Sequence, residues 1–325
     1  MTRDIVRDEP QPGNDSTTTA TSVSLHDGRS LFFRASGPGR ENATTPVVII
    51  EHGLGGSSLE WVAAERLISR FARVICYERS GYWPSDLPSH EQPAIPAGTA
   101  KDLKELLEVA GIRPPFVLVG HSHGGVLIRQ CLADWPTGWV SGMVIVDSAP
   151  TRNAIPDSWT ELLGGDSYYD VVGLESNRVL SDKEWAAVQD MEVRNAAITA
   201  REAEYLDHHA AELRFRLAEM HQPLGKAPLS VICCQEAEDM KRVYEHGLAN
   251  GHGSREAREA MRKRLEDMAE LDESGMKEHL SLTQEGMGRF VLAEGKQRTH
   301  NVVMVDPDFV AREVEWVYRR ASTVR

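Results

Sequence analysis

The segment Phe116–Gly125 constrains the fold of this chain more than any other stretch. It begins with a short apolar run that predicts a strand, passes through Gly-x-Ser-x-Gly, and continues into an apolar run that predicts a helix. Gly120 and Gly124 carry no side chain, so the strand and the helix can approach each other closely on either side of Ser122. The pattern therefore predicts a sharp strand-to-helix turn that exposes the Ser122 hydroxyl at the amino end of a helix.

Apolar, β-branched runs alternate with amphipathic helical patterns along most of the chain. A hairpin is predicted over residues 23–34, and further strands at 46–51, 73–77, 116–119, 142–146, 228–234 and 289–293. This alternation predicts an α/β fold with a mostly parallel central sheet flanked by helices. Ligands of such sheets bind beyond the carboxyl ends of the strands, which is where Leu54, Ser122 and Asp147 fall.

The strand pattern stops between residues 151 and 227 and helical sequence replaces it. We predict a helical cap there, inserted between a first core part at 22–150 and a second at 228–325. The second part contains a charged helical insertion at about 236–275. Residues 1–21 are polar and contain no apolar segment of the kind found in signal peptides, so we predict a disordered tail.

Composition narrows the classes of partner. The 325 residues carry a formal net charge of -13, which argues against nucleic acid and anionic membranes as partners. No apolar run reaches the ~18 residues that a membrane-spanning helix needs. The four cysteines form no Cys-x-x-Cys pair, which favours buried free thiols and a cytoplasmic location. No phosphate-binding glycine motif follows a strand, so we predict a small-molecule substrate and no cofactor; the sequence leaves the oligomeric state open.

Four motifs occur in a characteristic order. They are His52-Gly53-Leu54-Gly55-Gly56, Tyr77-Glu78-Arg79-Ser80-Gly81-Tyr82, the Gly-x-Ser-x-Gly turn, and His300 followed by Asp306-Pro307. In this order the chain resembles the α/β-hydrolase family with a cap domain, over roughly residues 22–320. The resemblance implies a hydrolase of small esters, lactones or thioesters (a carboxylic ester hydrolase), in which the Gly-x-Ser-x-Gly turn is a nucleophile elbow.

The resemblance also suggests roles for individual residues. A serine hydroxyl needs a base with a pKa near neutrality, which points to histidine, and His300 stands where the family places the catalytic imidazole. If His300 has an ordinary pKa of ~6.5, activity should fall as the pH drops through that value, because the imidazolium cannot accept the serine proton. Ser122 is then the nucleophile, and the backbone N–H groups of Leu54 and His123 form the oxyanion hole.

The acid that orients His300 has two candidate positions, at the ends of two successive strands. Asp147 directly closes the strand over 142–146, whereas Glu236, Glu238 and Asp239 follow the next strand without the glycine turn usual in the family. We predict Asp147 as the acid, and we expect Asp239 to lie in a helix or loop that faces water.

Other residues near these motifs have less specific patterns. His121 and His123 flank Ser122, but side chains at i and i+2 of a sharp turn diverge and glycines follow them, so we predict no metal there. The cap carries four aromatic residues that could roof an apolar site: Trp159, Tyr168, Tyr169 and Trp185.

Two other functions remain open. One is a binding protein on the same fold that does not turn substrate over. The other is a carbon–carbon bond hydrolase, because that branch of the family also uses serine. A serine nucleophile argues against the haloalkane dehalogenase and epoxide hydrolase branches, which use aspartate.

Overall fold

The computed structural model describes residues 18–88, 94–150 and 155–323. Within these residues the chain forms an eight-stranded sheet in the order β1-β2-β4-β3-β5-β6-β7-β8. The strands are β1 (Thr19–Ser24), β2 (Ser30–Ser36), β3 (Val47–Glu51), β4 (Val74–Tyr77), β5 (Phe116–His121), β6 (Val140–Val146), β7 (Leu229–Cys233) and β8 (Gly288–Leu292).

The sheet is antiparallel at one edge and parallel elsewhere. β2 pairs antiparallel with both β1 and β4, and the pairs from β4 to β8 are parallel. In the register, Glu51 lies opposite Gly120, and Val146 lies opposite His121 on one side and Ile232 on the other. The carboxyl ends of β3, β5, β6 and β7 therefore meet at one edge. The predicted α/β class with a mostly parallel sheet is confirmed.

Helices connect the strands and cover the sheet. The α-helices are α1 (Val62–Ile68), α2 (Pro96–Val109), α3 (His123–Asp134), α4 (Tyr168–Val171), α5 (Leu174–Asn177), α6 (Asp182–Ala203), α7 (Leu206–Glu219), α8 (Ala237–Asn250), α9 (Arg255–Leu265), α10 (Met268–Lys277), α11 (Val302–Val305) and α12 (Pro307–Ala321). Short 3-10 helices span Ser58–Trp61, Asp157–Leu163, Glu278–Leu282 and Gly295–Gln297. The helices α4 to α7 lie between β6 and β7 in the chain, and α8 to α10 lie between β7 and β8.

The helices pack on both faces of the sheet. On one face the apolar side of α2, with Leu103 and Leu106, packs in a cluster with Phe116 of β5. On the other face α12 packs Val310 and Val314 in a second cluster. All four cysteines fall in described segments and are buried with free thiols, as predicted. Among the described helices, none combines the length and apolar character needed to cross a bilayer.

Two local predictions need correction. Residues 1–17 of the predicted tail (1–21) lie outside the described residues. Thr19–Thr21 belong to β1, because their backbone pairs with β2. From their spacing, Thr99 and Asp102 are also predicted to form a capping box at the start of a helix, yet α2 begins earlier, at Pro96. Asp102 instead accepts two hydrogen bonds from the Arg29 guanidinium, at 2.7 and 2.8 Å.

Candidate active site

Ser122 occupies the turn between β5 and α3 in a strained backbone conformation. Its φ of 54° and ψ of -124° lie in a region that non-glycine residues rarely adopt. A Cβ at Gly120 would overlap the Gly124 carbonyl, and a Cβ at Gly124 would overlap the carbonyl of Glu51. Because these positions leave no space for a side chain, strand and helix close tightly and Ser122 lies at the amino end of α3.

His300 lies in a loop after β8 and faces the end of β6. Its Nδ1 is 2.7 Å from Oδ2 of Asp147. The other oxygen of Asp147, Oδ1, accepts a hydrogen bond of 2.7 Å from the backbone N–H of Cys234 at the end of β7. The Asp147 side chain is 1% exposed and that of His300 is 22% exposed. A buried carboxylate thus fixes the ring of a histidine whose other face remains accessible.

Asp239 also contacts the His300 segment, which corrects the expectation that it faces water. Its side chain is fully buried near the start of α8. Oδ2 accepts hydrogen bonds from the backbone N–H of His300 at 2.8 Å and from the Thr299 hydroxyl at 2.9 Å, and Oδ1 accepts one from Arg242. Burial raises the pKa of Asp239 to about 6, although these hydrogen bonds act in the opposite direction.

The environment of His300 shifts its pKa upward. Burial disfavours the imidazolium, but the charge of Glu236 and then the hydrogen bond and charge of Asp147 outweigh it and raise the pKa to about 9. This value is above the ordinary ~6.5 expected from the sequence. Three carboxylates around one imidazole, those of Asp147, Glu236 and Asp239, account for the difference.

His121 packs beside His300. Its Nε2 lies 2.8 Å from the carbonyl oxygen of His300, and because a carbonyl only accepts, Nε2 carries the proton. Burial, with His300 nearby, lowers the pKa of His121 to about 3, so the ring is neutral. The two imidazoles are tilted against each other with centroids 4.6 Å apart. His121 therefore supports the loop that carries His300.

Among the described residues, two chambers meet at Ser122. They share Leu54, Ser122 and His300 as walls. The smaller chamber, about 270 Å³, is also lined by Asp147, His123, Val126, Ala149, Leu206, Ala210, Glu236, Asp272 and Met276. The larger chamber, about 550 Å³, is lined by the His-Gly loop (residues 53–56) and by Glu60, Tyr168, Tyr169, Glu192, Ala196 and Thr199. All five residues assigned to the triad and oxyanion hole thus lie around one cavity system.

The four aromatic residues of the predicted cap form a row of rings in edge-to-face contact. Neighbouring centroids are 5.6 Å apart for Trp159 and Tyr168, 5.5 Å for Tyr168 and Tyr169, and 5.1 Å for Tyr169 and Trp185. The two tyrosines line the larger chamber. Trp159 and Trp185 pack behind them in an apolar cluster, and Trp185 is 3% exposed. The row places tyrosines at the wall and tryptophans behind it.

An acidic pair in the larger chamber was missed by the sequence reasoning. Burial, and then the charge of Glu192, raise the pKa of Glu60 to about 8. Glu192 accepts a hydrogen bond from the Tyr169 hydroxyl. Glu60 lies three residues after Ser57, and this spacing predicts only a capping box at the start of a helix. The signal that could have found it is its place one turn after the His-Gly loop.

This geometry can be compared with known proteins. Residues 47–313 match the sequence profile of the Alpha/beta hydrolase family. The chain belongs to this family. Relatives include "Probable transporter efuK" of Hormonema carpetanum, 30% identical over 305 residues, and an "AB hydrolase superfamily protein" of Gibberella zeae, 27% identical over 308 residues. These matches cover 91% and 90% of this chain, but 42% of the first relative and 92% of the second.

The likeness to solved structures concerns the fold. The esterase RhEst1 from Rhodococcus sp. ECU1013 superposes with a TM-score of 0.53 at 16% identity, over 92% of this chain and 98% of that one. The chain therefore shares the α/β-hydrolase architecture with structures whose sequences have diverged far from it.

Proposed function

We propose that this family member is a serine hydrolase that cleaves a small, largely apolar ester, lactone or thioester through an acyl-enzyme intermediate. The observation that carries the proposal is one arrangement: Ser122 in a strained strand-to-helix turn shares a cavity with a histidine bound to a buried carboxylate at 2.7 Å.

The proposed reaction assigns a step to each residue. The Ser122 hydroxyl attacks the substrate carbonyl while His300 Nε2 takes its proton, and Asp147 holds the Nδ1–H and stabilises the imidazolium. The N–H groups of Leu54 and His123 stabilise the oxyanion of the tetrahedral intermediate. His300 then protonates the leaving alcohol or thiol, which leaves an ester on Ser122. A water molecule, deprotonated by His300, releases the acid by the same route.

The size of the cavity supports a small substrate. The larger chamber, about 550 Å³, is in the range of sites for small molecules, and the smaller one, about 270 Å³, lies just below that range. Val126, Ala149 and Met276 give the smaller chamber an apolar wall suited to a short acyl or alkyl group. Tyr168 and Tyr169 of the predicted cap line the larger chamber, which supports the proposed role of the cap in setting substrate choice.

Two alternatives use the same site. A carbon–carbon bond hydrolase would use the same serine and base on a diketone. A binding protein would hold a ligand between the chambers without turnover. The cytoplasmic location stays a prediction from composition.

The test combines labelling with a substrate panel. Wild-type protein treated with a fluorophosphonate should carry the phosphonyl group on Ser122 by mass spectrometry, and Ser122→Ala should not be labelled. p-Nitrophenyl esters and thioesters of graded acyl length, with a β-diketone as the carbon–carbon substrate, then identify the bond that is cleaved. His300→Ala should fold and lose most turnover. Labelling of another serine, or labelling of Ser122 without turnover of any substrate, would contradict the proposal.

A further inference from the structure

The His-Gly loop is held from the protein interior by Arg79, which follows β4. Arg79 is 1% exposed. Its Nη1 donates to the His52 carbonyl oxygen at 2.8 Å, and its Nη2 donates to the Gly53 carbonyl oxygen at 3.0 Å. One guanidinium therefore fixes two successive peptide groups of the loop.

The second of these peptide groups is the one that carries the Leu54 N–H. In a trans peptide the C=O and N–H bonds point in opposite directions. When Arg79 holds the Gly53 oxygen on the interior side, the Leu54 N–H must point the other way, toward the cavity where Ser122 lies. The direction of the proposed oxyanion donor is thus set by a hydrogen bond made behind it.

Arg79 is itself held by a residue from helix α6. Glu202 accepts from Nε at 3.2 Å through Oε1 and from Nη2 at 3.1 Å through Oε2. Glu202 lies 123 residues after Arg79 in the chain, and it is 3% exposed. On the other side of Arg79, Glu51 accepts from Nη1 at 2.8 Å.

Two further contacts join α6 to the same loop. The Tyr82 hydroxyl accepts from the Gly55 N–H at 3.1 Å and donates to Glu202. The Asn195 side chain is fully buried; its Nδ2 donates to the Gly56 carbonyl at 3.2 Å and its Oδ1 accepts from the Trp83 N–H at 2.9 Å.

We propose that Glu202 is a positioning residue: through Arg79 and Tyr82 it aligns the Leu54 N–H with the oxyanion, so that the oxyanion hole is complete only when α6 is docked. This inference rests on the proposed serine-hydrolase function. Glu202 does not touch the reacting atoms; it acts through the orientation of one peptide group.

The test uses Glu202→Gln with two companions. In Glu202→Gln, Arg79 keeps its ion pair with Glu51, so no buried cation is left alone and the variant should fold. Tyr82→Phe removes one hydroxyl and keeps the ring. Glu204→Gln, two residues further along and exposed, is the matched control for the loss of a charge at the end of α6.

The expected readout separates transition-state from ground-state effects. Loss of one oxyanion donor costs about 10²–10³ in kcat, and misalignment should cost less, so we expect kcat to fall about 10–100-fold in Glu202→Gln and about threefold in Tyr82→Phe, with KM nearly unchanged. The affinity of a trifluoromethyl ketone should fall with kcat, because Ser122 adds to it to form an oxyanion, with the hydroxyl proton going to His300. A non-reactive substrate analogue should bind as before.

The outcomes distinguish the two levels of the argument. If wild-type protein is labelled on another serine, or hydrolyses no substrate, the proposed function fails. The positioning role is wrong if wild-type protein is active and folded Glu202→Gln keeps kcat within about twofold. It is also wrong if Glu202→Gln loses affinity for the non-reactive substrate analogue as strongly as it loses kcat. An equal loss in Glu204→Gln would also overturn it.

A second inference concerns a side-chain cluster away from the cavity. Asp166, His246 and His252 each place one ligand atom within 4.8 Å of the others. His246 Nε2 lies 2.9 Å and His252 Nε2 lies 3.9 Å from Oδ2 of Asp166. A tetrahedral zinc ion with bonds of about 2.0–2.1 Å separates its ligands by about 3.4 Å, so small side-chain shifts suffice.

The backbone around the cluster is fixed on both sides. Gly164 and Gly165 have φ of 61° and 98°, and this turn brings Asp166 back beside α8. A Cβ at Gly164 would overlap the His252 ring, so the two loops touch directly. The Ser254 N–H donates to Glu161 at 3.0 Å and joins the same two segments.

The geometry points to a site for a zinc-like divalent transition-metal ion, with two imidazoles and one carboxylate as ligands and water completing the coordination. Two nitrogen ligands suit zinc and its neighbours, whereas magnesium and calcium prefer oxygen. A metal ion bound at His246 Nε2 would replace the contact of that atom with Asp166, and a proton carried on Nε2 would be released to solvent. The ion would stabilise the contact between the segment before α4 and the end of α8, outside the described walls of both chambers.

The test measures zinc binding to untagged, chelator-treated full-length protein. Zinc should release heat in calorimetry and raise the melting temperature, and magnesium should do neither. His246→Gln and His252→Gln should each lose the effect. His26→Gln should keep it: His26 contacts Glu105 at 2.7 Å, a surface pair without a third ligand beside it in the described part of the chain. No zinc-dependent shift in wild type, or a shift that survives in both cluster variants, would show a hydrogen-bonded cluster only.

Discussion

Two buried carboxylates reach the same histidine from the ends of neighbouring strands, and they contact different parts of it. Asp147, after β6, contacts the ring nitrogen of His300 at 2.7 Å. Asp239, after β7, accepts from the backbone N–H of His300 at 2.8 Å. Only the first contact is made to the imidazole ring, which gains and loses a proton at Nε2 during the proposed reaction. In the proposed reaction, Asp147 stabilises the charge on the ring, and Asp239 holds the loop that carries the ring.

Asp147→Asn should have the largest effect on activity. The amide cannot stabilise the imidazolium and favours the wrong ring tautomer, so kcat should fall by about 10³–10⁴. The variant keeps the side-chain shape, and thermal unfolding should change little. Steady-state kinetics on the best ester of the panel, beside a melting curve, measure both. A loss of less than about tenfold would move the acid to another carboxylate.

Asp239→Asn should show the opposite balance. One amide oxygen cannot serve His300, Thr299 and Arg242 as the two carboxylate oxygens do, so the free energy of unfolding should fall by about 1–3 kcal/mol. We expect kcat to fall by about tenfold, because the ring keeps Asp147 as its partner. Urea unfolding and kinetics on one preparation give both numbers. If kcat fell further than in Asp147→Asn, the division of roles would be wrong.

The pH profile of activity tests the role of a third carboxylate near His300, that of Glu236. The base must be neutral to accept the serine proton, so kcat/KM should rise with pH through the His300 pKa of about 9. Burial lowers the pKa of His300, and the charge of Glu236 is the largest contribution that raises it. In Glu236→Gln the midpoint of the profile should therefore move to lower pH, and activity near pH 7 should increase. Profiles of kcat/KM from pH 5.5 to 10 test this. An unchanged midpoint in Glu236→Gln would count against its electrostatic role.

The smallest effect is expected for Glu238→Gln. Glu238 pairs with Arg298, and the two side chains are 30% and 41% exposed. Exposed ion pairs contribute about 0–1 kcal/mol, so stability should change by less than about 1 kcal/mol and kcat by less than twofold. Denaturation and kinetics should therefore place this variant with wild type. A larger loss would mean that charge anywhere near β7 matters, and the comparison would lose its specificity.

The sequence could predict the elements whose signals are local. The apolar runs of β3 to β7 are short and bounded by turn residues, and the glycines around Ser122 leave few alternatives to a tight turn. The location of Asp147 at the carboxyl edge of the sheet followed from its place directly after an apolar run. Each of these predictions uses residues within about ten positions of one another.

Burial of Asp239 could not be predicted in this way. It lies on a charged stretch, and its neighbours Glu236 and Glu238 suggest a solvated face. Asp239 is buried because Met240 and Val243 pack α8 into the apolar cluster that also contains Trp159 and Trp185. The spacing of Met240 and Val243 indicates a buried face of α8, but the charged residues around Asp239 favoured the prediction of a solvated one.

Contacts between residues that are far apart in the chain also could not be predicted from the sequence. Glu202 pairs with Arg79 across 123 positions, and Asp102 pairs with Arg29 across 73. Local rules assigned Asp102 to a helix start because an acidic residue three positions after threonine fits a capping box. Ion pairs of this kind depend on which elements the finished fold brings together.

The position of Ser122 between two chambers also has a consequence for the order of events. A substrate cleaved at this junction leaves its two halves in separate compartments, one bound to Ser122 and one free. The free half can depart while the bound half stays, and the compartment it vacates becomes the entrance for water. In the proposed reaction, the chamber that holds the free half would therefore empty first, and the chamber that holds the acyl group would empty only after water has entered.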